Sequence, residues 1–501
     1  MAYLTFLYVQ NIFAGMDVAN TLFISVEIIV ILIYLVNILL LVLMLWMERE
    51  DPRDFMMWMV VILFIPLFGF VCYLIFGQTY YARKVFSIKG LSDETLLKFA
   101  ENEMSMLSDL EKEHPELKDQ ITFAKYIHNC GGKSFTSGNK VDLIIDGNEY
   151  FDKLFEDIRN AKEYIFAEYF IIKNDDMGNK FIDLLIEKVK EGVEVKVLTD
   201  ALGSKDGPKK GFNNFRKAGG KIVLFHHPLN LLLNPKKNNR NHRKIVAIDG
   251  KVAYVGGYNV GDGYIGKGRF GDWRDTAVRI VGNGYMGCGL RFIADWNYAS
   301  KDKIEDIAKY FDLAPTDGDV YMQIVSGGPD VSLDNPIKLQ YEGLIQYAKE
   351  RLYIHTPYLI LDDTLTDMLR TASMRGVDVK IIIPEKPDHM LVEWNNRYSA
   401  NQLMKHGTEV YMYQNGFMHS KAIVIDGKIA SIGSANFDDR SLRLNFETNI
   451  QLYSDRICKE LEDAFLKDLE RSRPYSCEEY NNKTFYQKIK VILSRLLSSL
   501  A

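Results

Sequence analysis

Two long apolar segments stand at the beginning of the chain, separated by a short charged connector. Residues 21–47 contain one charged side chain, Glu27, and residues 55–76 contain none. A helix of about 20 apolar residues crosses the hydrocarbon core of a bilayer, and each segment is at least that long. The pattern therefore predicts a two-helix transmembrane hairpin. The alternative, a pair of buried core helices, is uncommon for apolar segments of this length.

The charges around this hairpin bear on its orientation. Arg83, Lys84 and Lys89 follow the second segment, whereas the connector carries Arg49 and Arg53. Basic residues are more frequent on the cytoplasmic side of membrane proteins. The small excess predicts a multi-pass protein of the cell membrane whose large remaining part is cytoplasmic. A cleavable signal peptide fits poorly, because no basic region precedes the first segment and a second segment follows at once.

Beyond the hairpin, short β-branched or aromatic runs alternate with helical patterns, and fragments recur in the same order. "AKEYIFAEYFII" at 161 resembles "AKERLYIHTPYLI" at 348, and "EGVEVKVLTD" at 191 resembles "RGVDVKIIIP" at 375. Their separation, roughly 185 residues, is what duplication of one folding unit produces. The alternation predicts an α/β fold with a largely parallel sheet covered by helices. A stretch near 311–335, rich in Pro, Gly and Asp, marks the boundary between the units.

Composition narrows the class of protein. Of the 501 residues, 47% are hydrophobic and 25% are charged, which excludes a disordered chain and predicts more than one domain. The net charge of −5 argues against a nucleic-acid-binding protein, which usually carries a basic excess. The five cysteines are scattered without CxxC spacing, so neither a disulfide framework nor a metal site is expected.

One phrase occurs twice, and it carries the candidate chemistry. Each copy has a histidine, a lysine two positions later and an aspartate five positions after the lysine. The copies are His242, Lys244 and Asp249, and His419, Lys421 and Asp426. Residues two apart on a strand share a face, so each histidine lies beside its lysine, whereas the aspartate need not share that face. One such match arises by chance in roughly a few per cent of chains this long, but two matches in a duplicated unit indicate a site.

Small residues and an asparagine follow each copy. They are Gly256, Gly257 and Asn259 in "GGYN", and Gly433, Ser434 and Asn436 in "GSAN". Small side chains would let a ligand approach the backbone closely. The asparagine amide can donate a hydrogen bond to a ligand oxygen. We therefore expect both stretches to line the same site as the histidines.

Two histidines, two lysines and two asparagines that converge from two units suit one type of reaction. The lysines and asparagines can hold the non-bridging oxygens of a phosphodiester. One neutral histidine can attack phosphorus, and the other can protonate the leaving alcohol. A second alcohol then attacks the phosphohistidine. Because one diester replaces another, the reaction requires no cofactor and no metal.

The paired phrases resemble those of the phospholipase D superfamily, and nearly the whole chain is similar to bacterial cardiolipin synthases. The resemblance runs from "PLFGFVCYLIFG" in the hairpin through "FGDWRD" to "SANFDDRSLRLNFE". It implies that two phosphatidylglycerol molecules are joined to give cardiolipin and glycerol. It also implies His242 as nucleophile and His419 as acid and base, although the sequence alone does not break their symmetry. A carboxylate is implied behind each histidine; Asp275 and Glu447 occupy those positions, and which one serves which histidine stays open.

The resemblance also implies the fold: two tandem, pseudo-symmetric α-β-α sandwich domains of the phospholipase D type after the hairpin. The expected organisation is an N-terminal segment (1–20), the hairpin (21–77, with helices at about 21–47 and 55–76), linker helices (78–125), a first domain (126–315), a second domain (316–480) and a C-terminal amphipathic helix (481–501).

Two other functions stay open on the sequence alone. A phospholipase D-type hydrolase would use water as the acceptor in the same chemistry. A catalytically inactive lipid-binding scaffold is the alternative from another class, although such a protein would be expected to lose a histidine or lysine of the pair. The expected partners are phosphatidylglycerol, cardiolipin and the membrane bilayer, and not nucleic acid; an oligomer is not excluded.

Overall fold

A computed structural model describes residues 25–45, 52–76, 93–132, 134–226, 239–311, 316–329 and 335–497. The N-terminal helices form one compact unit, and the chain from residue 93 onward forms a second. The expected N-terminal segment, residues 1–20, lies outside the described residues.

The N-terminal unit contains one long apolar helix and a broken one. Among the described residues, only α1 (Ser25–Leu45) is long and apolar enough to cross a bilayer by itself. The second apolar segment forms α2 (Pro52–Phe64) and α3 (Phe68–Phe76), so the predicted hairpin of two continuous helices is not confirmed. The break lies at Pro66, which has no backbone N–H to continue the helix, and Leu67 has a φ of 64°.

The break is stabilised by a polar side chain from α1. Asn37 is buried, donates to the carbonyl of Ile62 at 2.9 Å and accepts from the backbone N–H of Leu67 at 3.3 Å. These two bonds satisfy backbone groups that the interrupted helix leaves without a helical partner. α1 therefore packs against the broken segment inside this unit.

The second unit alternates helices and strands, as the sequence predicts. Its helices are α4 (Asp93–Glu113), α5 (Lys118–Asn129), α6 (Gly147–Asn160), α7 (Asp176–Lys190), α8 (Lys209–Ala218), α9 (Tyr285–Ala299), α10 (Pro336–Tyr347), α11 (Asp363–Met374), α12 (Met390–Met404), α13 (Asp439–Arg443), α14 (Asp455–Glu470), α15 (Cys477–Asn481) and α16 (Phe485–Leu497). The strands of the first half are β1 (Thr136–Ile144), β2 (Tyr164–Tyr169), β3 (Glu194–Asp200), β4 (Lys221–Phe225), β5 (Ile245–Ile248), β6 (Val252–Gly256), β7 (Trp273–Arg274) and β8 (Ala277–Val281). Those of the second half are β9 (Val320–Gly327), β10 (Arg351–His355), β11 (Leu359–Ile360), β12 (Asp378–Pro384), β13 (Glu409–Tyr413), β14 (Phe417–Met418), β15 (Ala422–Ile425), β16 (Ile429–Gly433), β17 (Phe437–Asp438), β18 (Glu447–Tyr453) and β19 (Ser472–Pro474).

The two predicted domains share one continuous sheet of 15 strands. From the middle outward, one side runs β1-β8-β6-β5-β2-β3-β4 and the other runs β9-β18-β16-β15-β10-β12-β13, with β19 at the edge. Each strand of the first half therefore has a counterpart in the second, as duplication requires. The halves join where β1 and β9 pair antiparallel.

The prediction of a largely parallel sheet is wrong. Only the outer strands of each half pair parallel, β2 with β3 and β4, and β10 with β12 and β13. The inner strands pair antiparallel because an Asp-Gly turn joins β5 to β6 and another joins β15 to β16. Asp249 and Gly250 have φ values of 51° and 67°, and Asp426 and Gly427 have 53° and 66°. Positive φ at both central residues is the requirement of a type I′ hairpin, for which Asp-Gly is a strong signal.

Helices cover both faces of the sheet, as expected for a sandwich. On one face, side chains of α9 and α14 merge with strands of both halves into a single apolar core that includes Phe292, Trp296 and Phe465. On the other face, α6, α7 and α8 cover the first half, and α5, α10, α11 and α12 cover the second. Both halves therefore contribute side chains to one apolar core on this sheet.

Two flanking segments have larger roles than their sequence predicts. α5 lies in the expected linker, but its Phe123 and Ile127 are buried in the core of the second half. α16 falls in the expected C-terminal amphipathic helix. It buries Val491 beside α12 and leaves Phe485 and Ile492 exposed.

Candidate active site

The two copies of the repeated phrase occupy equivalent places in the sheet. His242 and Lys244 directly precede β5, and His419 and Lys421 directly precede β15, its counterpart. Each lysine Nζ donates to the carbonyl oxygen of the histidine two residues earlier, at 2.5 Å in the pair formed by Lys244 and His242. The two-residue spacing thus places each lysine beside its histidine, as predicted.

Short cross-links between the halves position both histidines. Asn241 bridges to Phe446 in the parallel sense, and the N–H of His242 donates to the carbonyl of Phe446 at 2.9 Å. In the same way β14 pairs with β7, and the N–H of His419 donates to the carbonyl of Arg274 at 2.8 Å. Each histidine is therefore held by the segment of the other half that leads directly into a carboxylate.

The consequence is a crossed pair of histidine–carboxylate contacts. His242 Nδ1 lies 2.9 Å and 3.0 Å from the two carboxylate oxygens of Glu447. His419 Nδ1 lies 2.5 Å from Asp275 Oδ2. Glu447 and Asp275 are both fully buried, so solvent screens the charge of each carboxylate only weakly from the imidazole that it contacts. The structure thus resolves the assignment that the sequence left open.

The carboxylates are held differently in the two halves. Ser434 Oγ donates to Glu447 Oε2 at 2.5 Å, whereas the equivalent residue in the first half is Gly257. A Cβ at Gly257 would lie 2.0 Å from Asp275 Oδ1, so only glycine leaves room for that carboxylate. The small residues therefore accommodate the carboxylates, rather than the close approach of a ligand that the sequence suggested.

The lysines lie in a buried, mutually repelling set. Burial lowers the pKa of Lys244 to about 7, and Glu447 opposes this effect while Lys421 adds to it. Burial also lowers the pKa of Lys421 to about 8, against the opposing charges of Asp275 and Glu447. The pKa of each lysine therefore depends on charged groups of both halves, which agrees with a single site that contains both copies of the phrase. A bound anion would favour the charged form of both lysines.

Both histidines are neutral near neutral pH. Burial lowers the pKa of His242, with Glu447 opposing and Lys244 reinforcing the shift. Burial and then Lys421 lower the pKa of His419 to about 3, although Asp275 opposes them. Burial alone would raise the pKa of either carboxylate, but Lys421 and His419 outweigh it at Asp275, and His242 and Lys244 outweigh it at Glu447. The carboxylates are therefore ionised while the imidazoles are not.

This ionisation fixes the tautomers. Nδ1 of His419 faces Asp275 and also lies 2.8 Å from Lys421 Nζ, and one nitrogen cannot donate to the carboxylate and accept from the ammonium at once. Since Asp275 is ionised, the proton lies on Nδ1. His242 Nδ1 faces Glu447 and the carbonyl of Ser434, both acceptors, which gives the same tautomer. In each ring the lone pair is left on Nε2.

The two asparagines lie at equivalent positions but have different partners. Asn259 Oδ1 accepts from the N–H of Ile171 at 3.1 Å, and its Nδ2 donates to the hydroxyl of Tyr264 at 3.0 Å. Asn436 Nδ2 donates to Asp438 Oδ2 at 3.1 Å. Among the described residues, Asn436 Oδ1 has no hydrogen-bond partner although it is buried. The pseudo-symmetry is therefore broken at this pair.

Asp249 and Asp426 belong to the predicted catalytic residues, and both lie away from the histidines and lysines. They sit in the hairpin turns at the far ends of β5 and β15, about 16 Å along the strand from the lysines. Asp249 accepts from the N–H groups of residues 162–164, and Asp426 accepts from those of residues 349–351. Both carboxylates fasten the start of a neighbouring strand.

Two buried arginines that sequence reasoning overlooked support the carboxylate segments. Arg243 donates to the carbonyl of Glu447 at 3.1 Å and pairs with Asp295 at 2.7 Å. Arg274 pairs with Asp468 at 2.9 Å. A signal was present for Arg243, because it alternates with His242 and Lys244 and so points to the opposite face, where a charge needs a buried partner. Among the described residues, no group of three or more His, Cys, Asp or Glu side chains is arranged to hold a metal ion.

The comparisons with known proteins match the chain along most of its length. The family described as "Cardiolipin synthase, PLD-like domain" matches residues 154–267 and 341–469, and the family described as "Phospholipase_D-nuclease N-terminal" matches residues 29–78. The major cardiolipin synthase of Bacillus subtilis is 42% identical over 477 residues, which cover 93% of this chain and 98% of that protein.

The chain belongs to the cardiolipin synthase family of the phospholipase D superfamily. The cardiolipin synthase of Listeria monocytogenes is 39% identical over 472 residues, with 93% of this chain and 98% of that one covered. That of Staphylococcus aureus is 40% identical over 472 residues, with 93% and 95% covered. Among solved structures, a phosphatidylserine synthase of Haemophilus influenzae shares the fold, with a TM-score of 0.60, 15% identity, and coverage of 76% of this chain and all of that one. The two family models thus match both the N-terminal apolar region and the duplicated part of the chain.

Proposed function

We propose that this member of the cardiolipin synthase family transfers a phosphatidyl group between two phosphatidylglycerol molecules, giving cardiolipin and glycerol. The observation that carries the proposal is the crossed arrangement of His242 on Glu447 and His419 on Asp275. Each histidine also has its own lysine beside it. This arrangement provides two Nε2 atoms and a cationic site for one phosphodiester. The relatives named cardiolipin synthase, about 40% identical over 93% of this chain, supply the substrate class.

In the first step, His242 Nε2 attacks the phosphorus of the donor lipid. The bond from phosphorus to the glycerol headgroup oxygen breaks, and His419 Nε2–H gives its proton to that oxygen. Lys244 and Lys421 hold the non-bridging oxygens, and the second N–H of each asparagine amide, at Asn259 and Asn436, is assigned to the same oxygens. Glu447 stabilises the positive charge that develops on the His242 ring.

In the second step, a hydroxyl of a second phosphatidylglycerol attacks the phosphohistidine. Its proton passes to His419 Nε2, the bond from phosphorus to His242 Nε2 breaks, and cardiolipin is released. The reaction returns both imidazoles to their starting states, so no proton is gained or lost over the cycle. Asp275 holds His419 in the tautomer that both steps need.

Substrate binding prepares His419 for its role as an acid. Burial and Lys421 hold the pKa of His419 at about 3. A bound phosphodiester carries a negative charge that offsets the two lysines, so it raises the pKa of both rings. Because Asp275 already stabilises the charged form of His419, that ring takes up a proton from solvent when the substrate binds. It then gives this proton to the leaving oxygen as the bond from that oxygen to phosphorus breaks.

The N-terminal unit is assigned to the cell membrane. α1 crosses the bilayer, and α2 with α3 forms a second, interrupted span, in which Asn37 satisfies the backbone at the break. The basic residues after residue 77 assign the catalytic part to the cytoplasmic side. This arrangement gives the enzyme access to substrates that never leave the bilayer.

The test supplies purified full-length protein with phosphatidylglycerol in vesicles and identifies the products. Cardiolipin and glycerol in equal amounts are expected. Phosphatidic acid and glycerol would instead establish a phospholipase D-type hydrolase, and no product from a folded protein would indicate a lipid-binding scaffold. The matched control is His242→Ala, which removes the nucleophile and leaves the rest of the site.

A further inference from the structure

The two halves of the site differ most where each asparagine meets a neighbouring segment. In the first half, Ile172 bridges to Val260, which places Ile171 beside Asn259, and the N–H of Ile171 occupies Asn259 Oδ1. In the second half, β11 pairs with β17 so that Leu359 lies opposite Phe437. This register places Tyr358 beside Asn436, in the position that Ile171 holds in the first half.

Tyr358 connects Asn436 to a further carboxylate. The hydroxyl of Tyr358 donates to Asp388 Oδ2 at 2.6 Å. The second oxygen, Asp388 Oδ1, is buried and has no hydrogen-bond partner among the described residues. Asp388 is one of the carboxylates that oppose the loss of charge at Lys421, so it lies on the side of the site that carries His419.

Among the buried acceptor oxygens of the second half that have no donor within the described residues, Asn436 Oδ1 and Asp388 Oδ1 are the two that adjoin Tyr358. Asn436 is only 3% exposed, so water cannot readily satisfy its oxygen. The bond from its Nδ2 to Asp438 fixes the amide orientation, since nitrogen and not oxygen must face a carboxylate. A phosphodiester cannot pair with these atoms, because its oxygens accept and do not donate. The group that they match is a hydroxyl.

We propose that Asn436 and Asp388 form a subsite for the glycerol hydroxyls of the headgroup, on the His419 side of the site. The inference rests on the proposed transfer reaction and deepens it. In that reaction, both the leaving alcohol and the attacking alcohol exchange a proton with His419, so the headgroup must lie on this side. One hydroxyl reacts, and its neighbour on the same glycerol donates to one of the two open oxygens. The first half has no such subsite at its asparagine, since Ile171 occupies the equivalent oxygen.

The experiment measures the choice between two small acceptor alcohols. The full-length protein in mixed micelles receives phosphatidylglycerol and either labelled glycerol, which gives labelled phosphatidylglycerol, or ethanol, which gives phosphatidylethanol. Glycerol carries the second hydroxyl and ethanol does not. Asp388→Asn replaces an acceptor that has no donor by a group that can present N–H, so it should lower the preference for glycerol over ethanol by about tenfold. Transfer to ethanol should stay within about twofold of wild type, because the histidines and lysines are unchanged.

Tyr358→Phe serves as a second variant, because it keeps the buried ring and removes only the hydroxyl that orients Asp388. The same preference should fall by a smaller factor. The matched control is Asp183→Asn, the same change at an exposed position of α7, which should leave the preference unchanged.

An unchanged preference in both test variants, or an equal loss with both alcohols, would overturn the subsite. If Asp388→Asn does not fold, Tyr358→Phe decides between these outcomes. Failure of the wild-type protein to transfer to either alcohol would instead contradict the proposed function, so the two failures are distinguishable.

Discussion

The two halves of the active site hold their histidines by the same plan but with different parts. In the half around His242, the longer carboxylate of Glu447 is met by the hydroxyl of Ser434. In the half around His419, the shorter Asp275 is met by no side chain at the equivalent position, and Gly257 leaves the space that its carboxylate fills. Both halves thus keep a hydrogen bond from imidazole to carboxylate, although the residues that position the carboxylate differ.

The difference extends to the charges. Both imidazoles are buried, but Lys421 lies 2.8 Å from Nδ1 of its own histidine, and His419 has the stronger shift, to a pKa of about 3. In the proposed reaction, His419 therefore has to take up its proton when the negatively charged substrate binds.

Removal of either histidine should have the largest effect. His242→Ala and His419→Ala should each lower kcat with phosphatidylglycerol by at least about 10³-fold, because each removes a group from the reaction itself. A donor whose leaving group is a stabilised phenolate needs no acid, so it should still form the phosphoenzyme in His419→Ala but not in His242→Ala. Trapping and intact-mass measurement of the phosphoenzyme checks this. A phosphoenzyme in His242→Ala would reverse the assignment of the two halves.

Neutralising the carboxylates should have the next largest effect. Glu447→Gln and Asp275→Asn should each lower kcat by about 10- to 100-fold, because each amide no longer selects the correct tautomer. The crossed contacts predict that Glu447→Gln slows formation of the phosphoenzyme, because Glu447 contacts His242, the proposed nucleophile. With the phenolate-leaving donor, Asp275→Asn should retain near-normal formation and slow the transfer to alcohol. Rapid-quench measurement of both steps checks this. If Glu447→Gln slowed only the transfer to alcohol and Asp275→Asn slowed only phosphoenzyme formation, the crossed assignment would be wrong.

Exchanging the small residues between the halves should distinguish the effect of a steric clash with a carboxylate from the effect of a lost hydrogen bond. Gly257→Ser places a Cβ where Asp275 Oδ1 lies, so it should displace the carboxylate and lower kcat by at least about tenfold. Ser434→Gly only removes one hydrogen bond to Glu447 and should lower kcat by about three- to tenfold. Circular dichroism serves as the control for folding. Equal effects in the two variants would mean that the halves are interchangeable.

The lysines should set the alkaline limb of the pH profile. A lysine binds phosphate only when charged, which holds below its pKa, so kcat/KM should decline as the pH rises through about 7 to 8. A bound phosphodiester favours the charged lysines and raises their pKa, so the alkaline limb of kcat should lie at higher pH. Rates measured across pH 5 to 10, at saturating and at limiting substrate, would test this. The alkaline limbs of kcat and kcat/KM should lie roughly one pKa unit apart. Alkaline limbs at the same pH would contradict the prediction.

The turn aspartates should have the smallest effect on chemistry in either half. Asp249→Ala and Asp426→Ala should each lower the free energy of unfolding by about 1–3 kcal/mol, because three backbone N–H groups lose their acceptor. The kcat of the folded fraction should remain close to wild type. Thermal unfolding and kcat measured on the same samples distinguish this from a catalytic role, and asparagine, which tolerates positive φ, provides the conservative control. A large loss of kcat with unchanged stability would instead support a catalytic role for these two aspartates.

Features that depend on local spacing could be predicted from the sequence. The separation of two residues between His242 and Lys244 places them on one side of a strand, and the repeat at His419 and Lys421 does the same. Duplication was visible in the recurring fragments, and the apolar runs identified the membrane-associated region. The Asp-Gly signal for hairpins was also present, and attention to it would have predicted the antiparallel inner strands and the turn role of Asp249.

The pairing of each carboxylate with its histidine depends on long-range contacts in the fold. Glu447 reaches His242 because Phe446 bridges to Asn241, and Asp275 reaches His419 because β7 pairs with β14. These contacts join segments more than a hundred residues apart in the chain, and a spacing rule describes only neighbours within one strand or helix. The space at Gly257 and the unsatisfied oxygen of Asn436 likewise depend on what the fold brings against them. Local pattern fixes which side chains share a face, whereas long-range pairing fixes which groups they meet.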